Sequence, residues 1–151
     1  MDQSNQQPFR TALLVLTLLL TLFVLAPKSW ANSLTAAKSN YILQCQGCHK
    51  SDGSGTPPET PNFSEYGAEL VHSSIGRSYW ISVPGAANSP LTDNELADVL
   101  NYICAEILME KDSPKFSAQE VSLHRGKKMK NVYESREKTI NQIRQENGQQ
   151  N

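Results

Sequence analysis

The residues best placed to do chemistry in this chain are two thiols and an imidazole packed into five positions, Cys45-Gln46-Gly47-Cys48-His49. A Cys-x-x-Cys pair can cycle between dithiol and disulfide or supply half of a zinc site. With histidine directly after the second cysteine, it can hold a haem covalently. The two sulfurs add across the vinyl groups to form thioethers, and the imidazole swings under the iron as an axial ligand. The thiol–disulfide reading calls for a strand ahead of the motif in a βαβ pattern, and none is visible. The zinc reading calls for a second Cys/His pair, and none stands at suitable spacing. The sequence therefore favours one covalent haem c and its iron, with Cys45 and Cys48 as attachment points and His49 as metal ligand.

These residues need a scaffold, and the bulk composition limits it. A length of 151 residues is room for one domain and some tails. Fourteen basic residues against fifteen acidic argue against a nucleic-acid binder working by bulk charge. Only 38% of residues are apolar, and part of that count sits in one N-terminal block. A domain so poor in core material gains from a buried prosthetic group.

The N-terminal block reads as a secretory signal. A polar stretch ends at Arg10, the apolar run Thr11 to Ala26 follows, and Ser29 and Ala31 fit a small-x-small cleavage site. The run is shorter than the ~20 residues of a membrane span. The organisation expected is thus a signal over 1–31, a haem domain over 32–112 and a charged, partly helical extension over 113–151. The setting expected is periplasmic or otherwise exported, with membrane association only if the signal stays uncleaved.

Five elements are expected to position the motif. Ser33 to Gln44 has helical spacing and runs into Cys45. A Gly- and Pro-rich loop follows over 51–62, then a short helix around Tyr66 to His72 and an extended segment from Arg77 to Val83. Thr92 and Glu95 form a capping box that opens a helix running to Met109, with Leu96, Val99, Leu100, Ile103 and Ile107 as its buried stripe. Ser117 and Glu120 could open a further helix, and 133–146 another, with Ile140 and Ile143 as its few apolar points. The last residues, QENGQQN, read as disordered. Cys104 reads as a small core residue, and the run from His124 to Lys130 as a solvated face that could also dock a partner.

Most of 33–108 resembles a class I c-type cytochrome. That family places an aromatic and a small residue four and eight positions before the first motif cysteine, here Tyr41 and Ala37. Its Gly-rich segment appears as Asp52-Gly53-Ser54-Gly55, its Pro-Asn-Leu stretch as Pro61-Asn62-Phe63, and its final helix as Leu96 to Ile103. The resemblance implies an all-α, cytochrome c-like helical domain around one covalently attached haem. It also implies that the Pro61 carbonyl accepts the hydrogen bond from the second nitrogen of His49. The function it implies is one-electron transfer between redox partner proteins, without turnover of a substrate. A haem subunit docked to one dehydrogenase, or a ligand-binding haem protein, stands as the alternative.

The chain departs from the family at the sixth ligand. The loop before the last helix, Ser82 to Pro90, contains no methionine. His72, within Leu70 to Arg77, is the candidate that a partial resemblance to small His-ligated cytochromes suggests, ahead of Met109 and Met129. Arg77 and Trp80, with Tyr79, are candidates to hydrogen-bond the haem propionates, because buried carboxylates need donors.

Overall fold

The computed structural model describes Val15 and residues 29–127 and 129–148. Nearly all of the segment read as a signal lies outside the described residues, as do Lys128 and the last three positions. The chain divides into units Met1–Asn32 and Ser33–Asn151, and the second is described below.

Seven helices occur in order among the described residues: α1 (Ser29–Gln44), α2 (Phe63–Val71), α3 (Ser74–Ser82), the single turn α4 (Pro84–Ala87), α5 (Asp93–Tyr102), α6 (Ala118–Arg125) and α7 (Val132–Gly148). They contain no strand, apart from an isolated bridge between Thr56 and Thr60. The all-α class expected from the sequence is the class observed. None of the described helices is long and apolar enough to cross a membrane.

The start of α5 is fixed locally. The Thr92 hydroxyl accepts from the Glu95 amide at 3.3 Å, and the Glu95 carboxylate accepts from the Thr92 amide at 2.8 Å. The same contacts hold the Glu95 carboxyl below its usual range. Leu96, Val99 and Leu100 then face inward. Each such side chain contributes roughly 1.5–3 kcal/mol when fully buried. The helix widens into a π-helical turn, Ile103–Ile107, and ends where Met109 takes a left-handed φ of 60°. Its Ile103 and Cys104 are buried.

α1 joins this helix through aromatic contact. Tyr41 is 1% exposed and lies 5.6 Å, centroid to centroid, from Tyr102. Its hydroxyl donates to the Lys50 carbonyl at 2.6 Å. That bond ties the helix before the motif to the residue after it. Burial, helped by the neighbouring Cys45, pushes the Tyr41 hydroxyl up to about 12.

Two expectations need correction. Arg77 to Val83 is not extended but lies within and just beyond α3. Tyr79, Trp80 and Ile81, residue types that favour strands, are all buried on this short helix, which packs against α2, α6 and α7. Tertiary packing overrides the local preference. The tail beyond Ser113 is likewise no appendage: Phe116, Val121, Ile140 and Ile143 belong to the same buried cluster as Tyr41 and Leu100. Residues 145–148, the described part of the stretch read as disordered, are helical, since α7 runs through Gly148.

Arg77 explains how the tail is held. It is 7% exposed. Its Nε donates to Glu120 at 2.7 Å, Nη1 to the Pro114 carbonyl at 2.6 Å and Nη2 to the Lys115 carbonyl at 3.1 Å. The guanidinium also lies 3.7 Å over the Phe116 ring. Glu120, expected to reach back to its own helix start, pairs with Arg77 instead, while Ser117 caps α6 alone. Arg125 does similar work at the other end of α6. It donates to the Leu91, Ala87 and Ser89 carbonyls and pairs with Asp93.

Candidate functional site

Cys45, Cys48 and His49 open onto a cavity of about 370 Å³ in unit Ser33–Asn151. The motif is the end of α1 wound into a turn: the Cys45 carbonyl accepts from the Cys48 amide at 3.1 Å and the His49 amide at 2.9 Å. Both thiols are free, Cys45 half-buried and Cys48 exposed. Burial and the nearby Cys48 push the Cys45 thiol up to about 11, so it is protonated at neutral pH.

His49 lies inside the cavity wall, stacked on Phe63 with ring centroids 4.0 Å apart and planes 17° from parallel. Burial lowers its pKa, against the opposing effect of the Gly53 backbone. The imidazole is therefore neutral near pH 7, the form that can donate a lone pair to a metal. Phe63 is held in turn by Gly53, whose carbonyl accepts from the Phe63 amide at 3.0 Å. Gly53 has φ +79°, and a Cβ there would stand 2.9 Å from the Phe63 ring, so the position requires glycine.

The rest of the wall is mostly apolar. α2 gives Tyr66 and Leu70, α3 gives Tyr79 and Trp80, and α5 gives Leu96, Val99 and Leu100, with Ile103 beyond it. Pro61 and Trp80 both line this space, as their candidate roles require. The hydrogen bond expected between Pro61 and His49 is not formed: the His49 Nδ1 is buried without a partner.

Two candidates stand elsewhere. His72 is the residue after α2 and does not line the cavity. Its side chain is 48% exposed and its Nε2 lies 3.1 Å from the Glu110 carboxylate. His72 keeps right-handed backbone angles as the C-cap of α2, one position on from Val71, which is fully buried. Arg77 does not line the cavity either, because its donors are taken by the tail. Among the described lining residues, the only sulfur atoms and imidazole are those of Cys45, Cys48 and His49. Met109 is exposed, and Met129 packs half-buried against the core ahead of α7.

The sequence missed one wall entirely. Val132, Tyr133 and Arg136, from the first turns of α7, line the cavity together. Their positions share a helix face, and Arg136 continues toward Ile140 and Ile143. Periodicity alone could have found that face, but nothing local said that the tail returns to the motif.

A largely apolar cavity, two thiols at its edge and a neutral, half-buried imidazole whose Nδ1 has no hydrogen-bond partner fit a covalently attached haem. The chain belongs to the c-type cytochromes, electron carriers defined by that attachment. It is 32% identical over 107 aligned positions to cytochrome c-552 of Thermus thermophilus, an alignment covering 57% of this chain and 82% of that protein. The protein of the same name from a designated strain of that species matches equally, with 72% of its length covered. No family model and no solved structure matches.

Proposed function

We propose that this chain is an exported carrier of single electrons whose haem is held by thioether bonds from Cys45 and Cys48, with His49 as axial ligand. The observation that carries the reading is the convergence of both thiols and the neutral imidazole on one apolar cavity. When bound, the haem supplies a reversible one-electron couple. The protein's own residues do the rest. The Cys45–His49 turn presents sulfur and nitrogen from one short stretch. Phe63, Trp80 and the α5 stripe exclude water, which lowers the reorganisation that accompanies a change of charge. The N-terminal polar, apolar and small-residue order supports export, and c-type attachment takes place outside the cytoplasm.

The chain, expressed in cells able to attach haem, should carry pigment that survives acid–acetone extraction. Cys45→Ala with Cys48→Ala should release it. Extractable pigment from the unaltered chain, or none, refutes the proposal.

The sixth ligand decides between a pure carrier and a haem that also binds small molecules. One observation favours the second reading: no methionine and no second histidine lines the cavity among the described residues. His72→Ala should leave the oxidised spectrum unchanged, and ready binding of carbon monoxide by the unaltered protein would establish an open site. Loss of a low-spin spectrum on Met129→Leu would instead make Met129 the ligand.

A further inference from the structure

We infer that Arg136, on the C-terminal helix α7, is the receptor for a haem propionate, so that the tail forms part of the haem site. The inference rests on the haem reading above. Arg136 is 9% exposed and lines the same cavity as His49. Its Nε donates to the Tyr79 hydroxyl at 3.3 Å, and its guanidinium stands 5.7 Å from the Tyr133 ring. No carboxylate pairs with it among the described residues. The other tail arginines at their sites are matched: Arg125 with Asp93 and Arg144 with Glu69.

A guanidinium carries five donors in a fixed fork and stays charged at all accessible pH. With one long hydrogen bond, from Nε to Tyr79, and no carboxylate beside it, this guanidinium keeps donors free for an anion in the cavity. The fork matches a carboxylate in a bidentate pair, and the haem brings two carboxylates into this cavity. Among the described residues on the wall, the only acidic or basic side chain besides Arg136 and His49 is Glu59. A second carboxylate would be repelled by Glu59 and drawn to Arg136. Tyr79 and Tyr133 hold the fork in place, and Ile140 and Ile143 anchor the helix behind it.

The test compares holoprotein of the unaltered chain with Arg136→Gln, Arg136→Lys and, as a control for docking of the same helix, Arg144→Gln. Resonance Raman reports the propionate bending bands, which follow hydrogen bonding to the carboxylate. Potentiometry, at a pH where both propionates are ionised, reports the local charge. Arg136→Gln should shift the bending bands and lower the reduction potential, since a cation near the iron favours the reduced state. Arg136→Lys should restore the potential but not the bands, and Arg144→Gln should change neither. Unchanged bands and potential in Arg136→Gln overturn the inference while leaving the haem reading intact. A colourless unaltered protein overturns the haem reading itself. A potential in the unaltered protein that moves with phosphate concentration at fixed ionic strength, and loses that response in Arg136→Gln, would show a diffusible anion at Arg136 and also overturn the inference.

Discussion

Replacing Arg77 by leucine separates two roles that its sequence position allows. The structure commits its guanidinium to Glu120, the Pro114 and Lys115 carbonyls and the face of Phe116. Leucine keeps part of the apolar stem and removes every donor. Breaking a buried ion pair from one side costs about 3–5 kcal/mol. Here the Glu120 side chain is 25% exposed and can regain water, so the cost falls to about 2–4 kcal/mol. For a domain of this size that is a fall in Tm on the order of 10 °C. The pair Arg144–Glu69, with side chains 56% and 36% exposed, sets the contrast: solvent screens it, and its loss should change stability far less. Denaturant unfolding of the holoproteins measures both, and a double-mutant cycle with Glu120→Gln isolates the ion pair. The reduction potential of Arg77→Leu should match that of the unaltered protein. A stability loss below about 0.5 kcal/mol together with a shifted potential would refute the tail-pinning role and return Arg77 to the haem.

Further outcomes follow from other positions. Ile143→Ala, deep in the tail, should cost about 2–5 kcal/mol in denaturant unfolding, as for any core site; a near-neutral result would make the tail peripheral. Gly53→Ala should cost about 1–2 kcal/mol for its left-handed backbone alone, and the clash with Phe63 should also perturb the absorption spectrum through His49. His124 has its pKa lowered by burial and by Lys127, against a smaller upward pull from Glu120. The fold therefore favours its neutral form: its contribution is complete above the unfolded value near 6.5 and is lost as pH falls through the folded one. Stability measured from pH 8 to pH 5 should show a dependence that is weaker in His124→Gln, and identical profiles would sink the argument.

The motif, the paired Tyr41 and Ala37, and the capped helix α5 were legible because each rests on local rules: fixed spacing, helical periodicity and a reciprocal cap. The resemblance points to Pro61 and the need of buried carboxylates for donors points to Trp80, and the structure lines the cavity with both. What failed depended on distant partners. Arg77 looks like a donor for any buried anion until Glu120, 43 residues on, takes it. His72 faces outward while its neighbour Val71 is buried, a matter of helix phase that spacing to neighbouring motifs does not fix. Arg136 sits in a run of charges whose mean polarity suggests solvent, and only the docking of α7 on α2 and α3 brings it inside. The extended segment expected at Arg77 to Val83 is helical for the same reason.

A wall supplied by α7 also bears on how the molecule is put together. The motif lies early in the chain and Val132, Tyr133 and Arg136 lie late. A polypeptide delivered from its N-terminus therefore displays both thiols before the last panel of their enclosure exists. During that interval the cavity behind them is open along one side, and arrival of the final helix completes its wall, while Cys48 stays exposed at the rim.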